Sequence, residues 1–401
     1  MRYMEFDFAR HEPTLGQLDL MIAEFGTAQV PLVRDNRVST LAHQRCLRDS
    51  TSIIEHLGAG AVVPADDGAT AFLCALLDDF ADEYMWRPAM WSRWAPECDS
   101  AAMGRRWTYE FCRDDPWYVP LAVRPWVLKW RQQLFSVSGE GIATPAQHGA
   151  AMQQYLDCMD ALNTVLATSP FLLGNKPSVV DFAFTGPFFR HFSTDVTPRK
   201  IMEQRAPNVF EWLARMWNAK RSRLDAQSWD PAPFANNAGW AKLWPLLREF
   251  LAYHKANAQA WQQGRTSFAC TFRGVESIVP VVPFRVWSLD KLKTRFAALN
   301  ETTRSNVQSF LEQRDAWGAG LLAEAALGAS PGEGQGVEPP FCTGRRVPGL
   351  YEQIMHGSSP KWPQLPLATR VLKDKLTSGE WNRHVLALAV FFFLFIRRWR
   401  S

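Results

Sequence analysis

One stretch near the middle of the chain, residues 171–184, constrains the fold more than any other. Gly174 and Pro177 mark a loop, and Ser178 stands three residues before Asp181. This spacing predicts a capping box, in which the Ser178 hydroxyl accepts from a first-turn N–H and the Asp181 carboxylate accepts from the Ser178 N–H. Nearly all the following residues are apolar, so we expect this helix to lie at the centre of a helical bundle.

The composition indicates a globular protein with an aromatic-rich core. The chain has 401 residues, of which 47% are hydrophobic and 21% charged, and its formal net charge is +4. This length allows two or three domains, and the near-neutral balance gives no indication of a nucleic-acid partner. The seven cysteines form no C-x-x-C pair and the histidines lack metal-ligand spacing. We therefore expect reduced thiols and no metal site.

The fuller string Leu-Gly-x-x-Pro-Ser-x-x-Asp, with aromatic residues on both sides, resembles the buried capping-box helix of glutathione S-transferase C-terminal domains. The resemblance implies an all-α bundle over residues 66–220. Apolar periodicity within that range predicts helices at 70–94, 103–135, 145–168 and 207–219.

The first of these helices, at 70–94, has a strongly amphipathic pattern. Its adjacent carboxylates are expected on a solvated outer face and include Asp78, Asp79, Asp82 and Glu83. In the family the corresponding helix lines the dimer cleft and the pocket for the electrophilic substrate, which implies a homodimer. Trp86, Trp91 and Trp94 are candidates for the pocket, although aromatic residues at helical spacing belong more often to a core.

Residues 1–62 resemble an incomplete thioredoxin-like domain. Short strands are predicted near residues 30–33 and 46–48, before a helix over residues 51–57. In the family, a Val-Pro pair such as Val30-Pro31 meets the cysteinyl part of glutathione, and an acidic-Ser pair such as Asp49-Ser50 holds its γ-glutamyl end. A helix N-terminus can bind a carboxylate. The alternative is that Asp49 or Ser50 simply caps the helix.

Compared with a complete thioredoxin-like domain, the amino-terminal region lacks one βα unit. Only about 29 residues precede Val30, which is too few for a βαβ unit and a further helix. Tyr3 is the one tyrosine in this region and no strand precedes it. No activating Tyr, Ser or Cys is identified, so the catalytic residue is unknown. Two interpretations stay open: a protein that binds glutathione and conjugates it to electrophiles, or a non-catalytic adaptor of the same fold held at a membrane.

The remainder of the chain divides into three parts. Residues 221–326 are predicted to form an α+β extension, with helices at 240–263, 289–299 and 302–311, a hairpin at 268–282, and Asn300 as a cap. Residues 327–380 form a linker region that begins with a Gly- and Pro-rich, flexible stretch. Residues 381–401 form a hydrophobic carboxyl-terminal segment.

The carboxyl-terminal segment contains an uninterrupted apolar run from Val385 to Ile396, flanked by arginines. As a helix this run covers about 18 Å of the roughly 30 Å hydrocarbon core, or about 28 Å counted from Trp381 to Trp399. We expect a tail anchor in the mitochondrial outer membrane or endoplasmic reticulum, with the rest of the protein facing the cytosol. A buried or interfacial terminal helix in a cytosolic protein is the alternative.

Overall fold

The amino-terminal region contains a small hairpin followed by a helix. The computed structural model describes residues 1–10, 31–34, 46–64, 67–111, 121–235 and 237–327. Strands β1 (Leu32–Arg34) and β2 (Cys46–Arg48) are antiparallel, with Val33 opposite Leu47, and α1 (Ser50–Gly58) follows directly. These elements agree with the strands and helix predicted for the thioredoxin-like remnant.

Helices fill the described residues between 67 and 224. They are α2 (Gly68–Asp79), α3 (Trp86–Trp94), α4 (Glu97–Phe111), α5 (Arg124–Gln132), α6 (Pro145–Val165), α7 (Val179–Pro187), α8 (Val196–Arg205), α9 (Pro207–Asn218) and the short α10 (Arg221–Leu224). Turns of π-helix follow α2, α5 and α7, at Phe80–Tyr84, Gln133–Val137 and Phe188–Phe192. This arrangement is the helical bundle that the resemblance implies.

Two predicted helices are each divided in the structure. The helix expected at 70–94 is interrupted by the π turn Phe80–Tyr84. Pro88 lies just beyond this turn and has no N–H to donate to the carbonyl four residues earlier, so regular α geometry is weakened there. The helix expected at 103–135 is represented by α4 and α5, and Pro125 lies in the first turn of α5, where proline is tolerated.

The extension continues with a long helix, a hairpin and two further helices. These are α11 (Ala238–Gln262), β3 (Ser267–Phe272), β4 (Val275–Pro280), α12 (Pro283–Ala298) and α13 (Glu301–Glu312). The hairpin prediction is confirmed, with Phe272 opposite Val275, as is the cap, since Asn300 accepts from the Thr303 N–H at 2.8 Å. Helix α12 begins earlier than expected, at Pro283, a residue suited to the first helical turn.

The larger of two hydrophobic clusters in the described residues crosses residue 220. It joins buried residues of α6, such as Tyr155 and Leu162, to buried residues of α11, such as Leu247 and Phe250. Helix α11 can approach α6 closely because Gly239 has no side chain; a Cβ there would lie 2.5 Å from the Ala161 carbonyl oxygen. The extension is therefore packed into the bundle rather than attached at its surface.

The predicted linker and tail lie outside the described residues, apart from residue 327. Within the described ranges, no helix combines the length and apolar character needed to cross a membrane.

Candidate functional site

The capping-box aspartate lies at the centre of the bundle. Asp181 is completely buried and accepts four hydrogen bonds, from Leu172 N at 2.8 Å, Ser178 N at 2.9 Å, Ser178 Oγ at 2.7 Å and Trp212 Nε1 at 2.9 Å. The Asp181 N–H in turn donates to Ser178 Oγ at 3.4 Å. The side chain therefore joins the loop before α7, the start of α7 and helix α9, which is more than a local cap requires.

The loop before α7 depends on a glycine and reaches the amino-terminal region. Gly174 has a φ of +132°, and a Cβ there would lie 2.7 Å from Asp230 N. At the start of α7, the Val179 N–H donates to the Val62 carbonyl oxygen at 2.7 Å. This bond ties the segment that follows α1 to the bundle and so helps to fix α1 against α2.

The predicted glutathione residues Asp49 and Ser50 lie at the start of α1. Asp49 has a φ of +69°, an uncommon conformation for a residue with a side chain. Its carboxylate accepts from Thr51 N at 3.0 Å and from Ser52 N at 3.4 Å, so Asp49 caps the helix. Pro31 is exposed and precedes β1, whereas Val30 lies outside the described residues.

Two hydroxyl groups at the start of α1 donate to carboxylates of the bundle. Ser50 Oγ donates to Asp82 Oδ2 at 3.2 Å, and Thr51 Oγ1 donates to Asp78 Oδ2 at 3.0 Å. Ser50 is partly exposed and Asp82 is exposed, so a ligand can reach both. The geometry therefore adds two carboxylates to the residues that the sequence assigned to this site.

The expectation that these carboxylates lie on a solvated face is wrong for three of the four. Asp78 is only 6% exposed, and the side chains of Asp79 and Glu83 are 11% and 14% exposed. Helix α1 covers Asp78, and α11 and α12 cover the other two. Of the four, Asp82 alone is exposed.

Burial raises the pKa of two carboxyl groups beside the start of α1, those of Asp78 and Asp49. It raises the pKa of Asp78 to about 6, and the hydrogen bond from Thr51 opposes the rise. Burial also raises the pKa of Asp49, and the hydrogen bonds from Ser52 and Thr51 oppose this. At both carboxyl groups, desolvation favours the protonated form and the hydrogen bonds favour the ionised form.

The opposite side of the same face forms a buried contact with the extension. His254 Nε2 lies 3.5 Å from Asp79 Oδ2, Ser288 donates to Asp79 Oδ1, and His254 Nδ1 lies 3.2 Å from the Arg285 carbonyl oxygen. Burial lowers the pKa of His254 to about 3, with a further lowering by Arg285, and burial raises the pKa of Asp79. A neutral imidazole whose Nδ1–H donates to the carbonyl, and whose Nε2 accepts from protonated Asp79, satisfies both groups.

Arg285 forms a buried ionic contact between bundle and extension. Its guanidinium group lies 2.8 Å from Glu83 and 3.7 Å from Glu140, and it also donates to the Tyr253 hydroxyl. Arg285 is 4% exposed. We assign this cluster a structural role, because it is closed to solvent.

Of the three tryptophans considered for an electrophile pocket, only Trp86 presents a surface. Trp91 and Trp94 are 7% and 0% exposed and belong to the core, whereas Trp86 is 42% exposed. Trp86 follows Asp82 by four residues, and its ring meets the edge of His191 at 6.2 Å. Of the three candidates, Trp86 is therefore the one whose ring can still line a pocket.

Tyr3 is unsuited to activate a thiol. It is 4% exposed, its ring packs 5.5 Å from Phe182, and its carbonyl oxygen accepts from Arg221 N at 2.8 Å. Burial raises the pKa of its hydroxyl, with a further rise from Asp225. Within the described ranges, no group of three or more His, Cys, Asp or Glu side chains could hold a metal ion.

Comparison with known proteins identifies the central helices. Residues 140–215, which include α6, the capping box and most of α9, match the family model of the glutathione S-transferase C-terminal domain. Over these residues the chain therefore contains a helical domain similar to the glutathione S-transferase C-terminal domain. Searches of curated proteins and of solved structures each gave no match.

Proposed function

We propose that this protein binds glutathione at the start of α1. The observation that carries the proposal is the contact between Ser50 Oγ and Asp82 Oδ2, at 3.2 Å, beside the strained backbone of Asp49. Glutathione ends in a γ-glutamyl group that carries both an ammonium and a carboxylate. A hydroxyl and a reachable carboxylate in contact are the complementary pair for that zwitterion.

Binding would exchange hydrogen-bond partners at Ser50. The Ser50 hydroxyl turns from Asp82 to the ligand carboxylate, and Asp82 then accepts from the ligand ammonium. The Thr51 and Ser52 N–H groups already donate to Asp49, so the ligand carboxylate depends mainly on Ser50. Asp82 is thus the partner of the ligand ammonium, and a single hydroxyl, that of Ser50, is the partner of the ligand carboxylate.

The family resemblance adds contacts to the cysteinyl part of the ligand. It implies that the backbone at Val30, with Pro31 after it, pairs with that part of glutathione. The hairpin β1–β2 connects Pro31 to α1, which is the chain order that such a site requires. An aromatic electrophile would then rest against the exposed ring of Trp86.

Replacing Ser50 with Ala is expected to weaken glutathione binding about ten-fold, because one charge-assisted hydrogen bond is lost. Retention of the full chain on glutathione-agarose, with elution by free glutathione, measures this. Ser52→Ala is the matched control, since Ser52 contributes its backbone N–H to the Asp49 cap and keeps it in the variant. Lack of retention of the wild type, or equal retention of the Ser50 and Ser52 variants, would contradict the proposal.

A second candidate function is a glutathione S-transferase-like adaptor without conjugating activity. The observation that favours it is the burial of Tyr3, because conjugation needs a group that lowers the thiol pKa from about 8.5. Turnover of an aryl halide with glutathione separates the two candidates. Measurable conjugation by the purified chain would favour the enzyme, and binding without turnover would favour the adaptor.

The resemblance also implies a homodimer, and we propose that any dimer uses surfaces other than α2. In this chain α12 and α13 pack on that helix, with the rings of Phe72 and Phe296 5.4 Å apart. Light scattering measures the mass of the purified chain in solution. A dimer cross-linked between two copies of α2 would contradict this assignment.

We propose that residues 385–396 anchor the protein in the mitochondrial outer membrane or endoplasmic reticulum. We expect the full chain to stay in the membrane pellet after carbonate extraction, because the apolar run buries all its faces in lipid. A chain that ends at Glu380 is expected in the supernatant. Release of both forms would show that the tail packs on the protein or lies at the interface.

A further inference from the structure

The hairpin of β3 and β4 has one face in the core and the other in solvent. Phe268 and Phe272 of β3 pack against Tyr253 of α11, with ring centroids 5.8 Å and 5.5 Å apart. Successive side chains of a strand point to opposite faces, and on the outer face Ala269 of β3 and Ile278 of β4 are exposed. The hairpin is thus fixed on the bundle by one face, and its two edges decide whether another strand can join it.

The register of the hairpin determines which backbone groups point outward. A two-residue turn joins Phe272 to Val275, and these two residues lie directly opposite each other. Such a turn makes the closing pair a hydrogen-bonded one, and hydrogen-bonded pairs then alternate with non-hydrogen-bonded pairs along the ladder. The bond from Val281 N to the Thr266 carbonyl oxygen, at 3.0 Å, continues this alternation. The residues of β3 whose N–H and C=O groups point away from β4 are therefore Ser267, Ala269 and Thr271.

The outer edge of β4 is covered by the start of α6 and the segment before it. The Glu276 carbonyl oxygen accepts from Gln147 Nε2 at 3.0 Å. Gly141 approaches so closely that a Cβ there would lie 2.8 Å from the Ile278 carbonyl oxygen. A further strand therefore has no room on this edge.

The outer edge of β3 is open in the part of the chain that the structure describes. No described residue outside β3 forms a backbone hydrogen bond with Ala269 or Thr271 across this edge. Both residues are exposed, and the strand Ser267–Phe272 contains neither a proline nor a charged residue. Prolines and charges are common means by which proteins prevent pairing at an exposed edge. A further strand can therefore add to β3.

We propose that β3 pairs with β3 of a second copy of this chain, antiparallel, around a twofold axis at Ala269. In this register Ala269 lies opposite the partner's Ala269, and Ser267 lies opposite the partner's Thr271. Each opposite pair exchanges two N–H···O=C bonds, because all these residues direct their backbone groups outward. The two hairpins then form one continuous sheet.

The side chains of β3 suit pairing with an identical strand. A twofold contact places a patch against its own copy, so a charged strand would meet like charges. β3 is uncharged, and Ala269, on the axis, carries only a methyl group. Ile278 lies opposite Ala269 within the hairpin, so an apolar row crosses the exposed face of the joined sheet. The hairpin lies outside residues 140–215, so this contact is separate from the region that matches the family model.

The contact is small, so the dimer is expected to be weak and reversible. One strand of six residues buries less surface than the roughly 1,200–2,000 Å² of a stable complex. The contact also involves no residue at the start of α1. The mass of the full chain is therefore expected to rise with protein concentration and to be unaffected by glutathione.

Disulfide cross-linking of the full chain tests the register. Opposite residues of a hydrogen-bonded antiparallel pair have Cα atoms about 5.5 Å apart, which a disulfide can span. We expect Ala269→Cys to give an oxidised dimer linked through position 269, identified by mass spectrometry of the linked peptide. Ile278→Cys is the matched control on the same exposed face. Three strand spacings of about 4.8 Å separate this position from its copy, so we expect no link through position 278.

Ala269→Pro tests the backbone contribution. The Ala269 N–H points outward, so proline removes no bond within the hairpin but removes one donor from each copy at the contact. We expect the dissociation constant of the dimer to rise about ten-fold or more, measured by sedimentation velocity of the full chain in detergent over a range of concentrations. Ala269→Ser keeps the N–H and is expected to change the constant by less than about two-fold.

Equal cross-linking through positions 269 and 278 would overturn the assignment, as would a dimer that persists unchanged in Ala269→Pro. A full chain that is monomeric at every concentration would overturn it as well. So would a folded Ala269→Cys variant that forms no link through position 269.

Discussion

Asp181→Ala is expected to lower the free energy of unfolding by about 3–5 kcal/mol, well beyond the 1 kcal/mol or so of an ordinary cap. The carboxylate is fully buried and accepts from Leu172 N, Ser178 N, Ser178 Oγ and Trp212 Nε1. Removing it leaves several buried donors without an acceptor in the centre of the bundle. Urea unfolding followed by circular dichroism measures the change.

Two companion variants separate the central role of Asp181 from simple capping. Ser178→Ala removes the cap hydroxyl alone and is expected to cost about 1 kcal/mol. Asp181→Asn keeps one oxygen acceptor and is expected to fall between the two alanine variants. If Asp181→Ala and Ser178→Ala have the same small effect, Asp181 is only a local cap.

Arg285→Met is expected to destabilise the protein by about 3–5 kcal/mol at pH 7, because Glu83 is left as a buried carboxylate without its arginine partner and Glu140 keeps only the nearby Arg87. Burial already raises the pKa of Glu83, and Arg285 is the charge that opposes this rise. Removing Arg285 therefore raises the pKa of Glu83 further.

The sign of the pH dependence follows from this shift. A carboxyl group with a raised pKa in the folded state stabilises the fold below its unfolded pKa, and this contribution is lost as the pH rises through the folded pKa. The loss of unfolding free energy caused by Arg285→Met is thus largest at neutral pH. It shrinks toward pH 4.5, the ordinary pKa of a glutamate. Urea unfolding at several pH values measures it.

The double variant Arg285→Met, Glu83→Gln serves as the control for the ionic cause. It removes the unpaired charge of Glu83 and is expected to recover part of the stability at pH 7. If the loss of unfolding free energy does not depend on pH and is not relieved by Glu83→Gln, Arg285 acts through packing instead.

Features fixed by short-range chemistry could be predicted from the sequence. The capping box needs only Ser178 and Asp181 at the right spacing, and the structure forms it. The β3–β4 hairpin needs a turn in which Arg273 and Gly274 both take positive φ values, of 48° and 79°. The Asn300 cap is equally local. In each case the partners lie within a few residues of one another.

The burial of Asp79 and Glu83 could not be predicted in this way. Their partners His254, Arg285 and Ser288 come from the extension, and the polar pattern of the isolated helix resembles a solvated face. Only the tertiary packing of α11 and α12 distinguishes a buried polar face from a solvated one. The same limit applies to Trp91 and Trp94, whose burial depends on neighbouring helices.

The candidate site combines the two interpretations that the sequence left open. Asp49 caps α1 through Thr51 N and Ser52 N, as the structural alternative requires. Ser50 instead directs its hydroxyl to Asp82, across the contact between α1 and the bundle. Spacing along the chain gives no sign of Asp82, because the two residues are joined only by the fold.

Calorimetric titration of the full chain with glutathione and, separately, with cysteinylglycine tests the central proposal most directly. Cysteinylglycine retains the thiol and lacks the γ-glutamyl group that Ser50 and Asp82 are proposed to hold. The account predicts saturable binding of glutathione and at least about ten-fold weaker binding of the dipeptide. Equal affinity for the two peptides, or no binding of either, would contradict it.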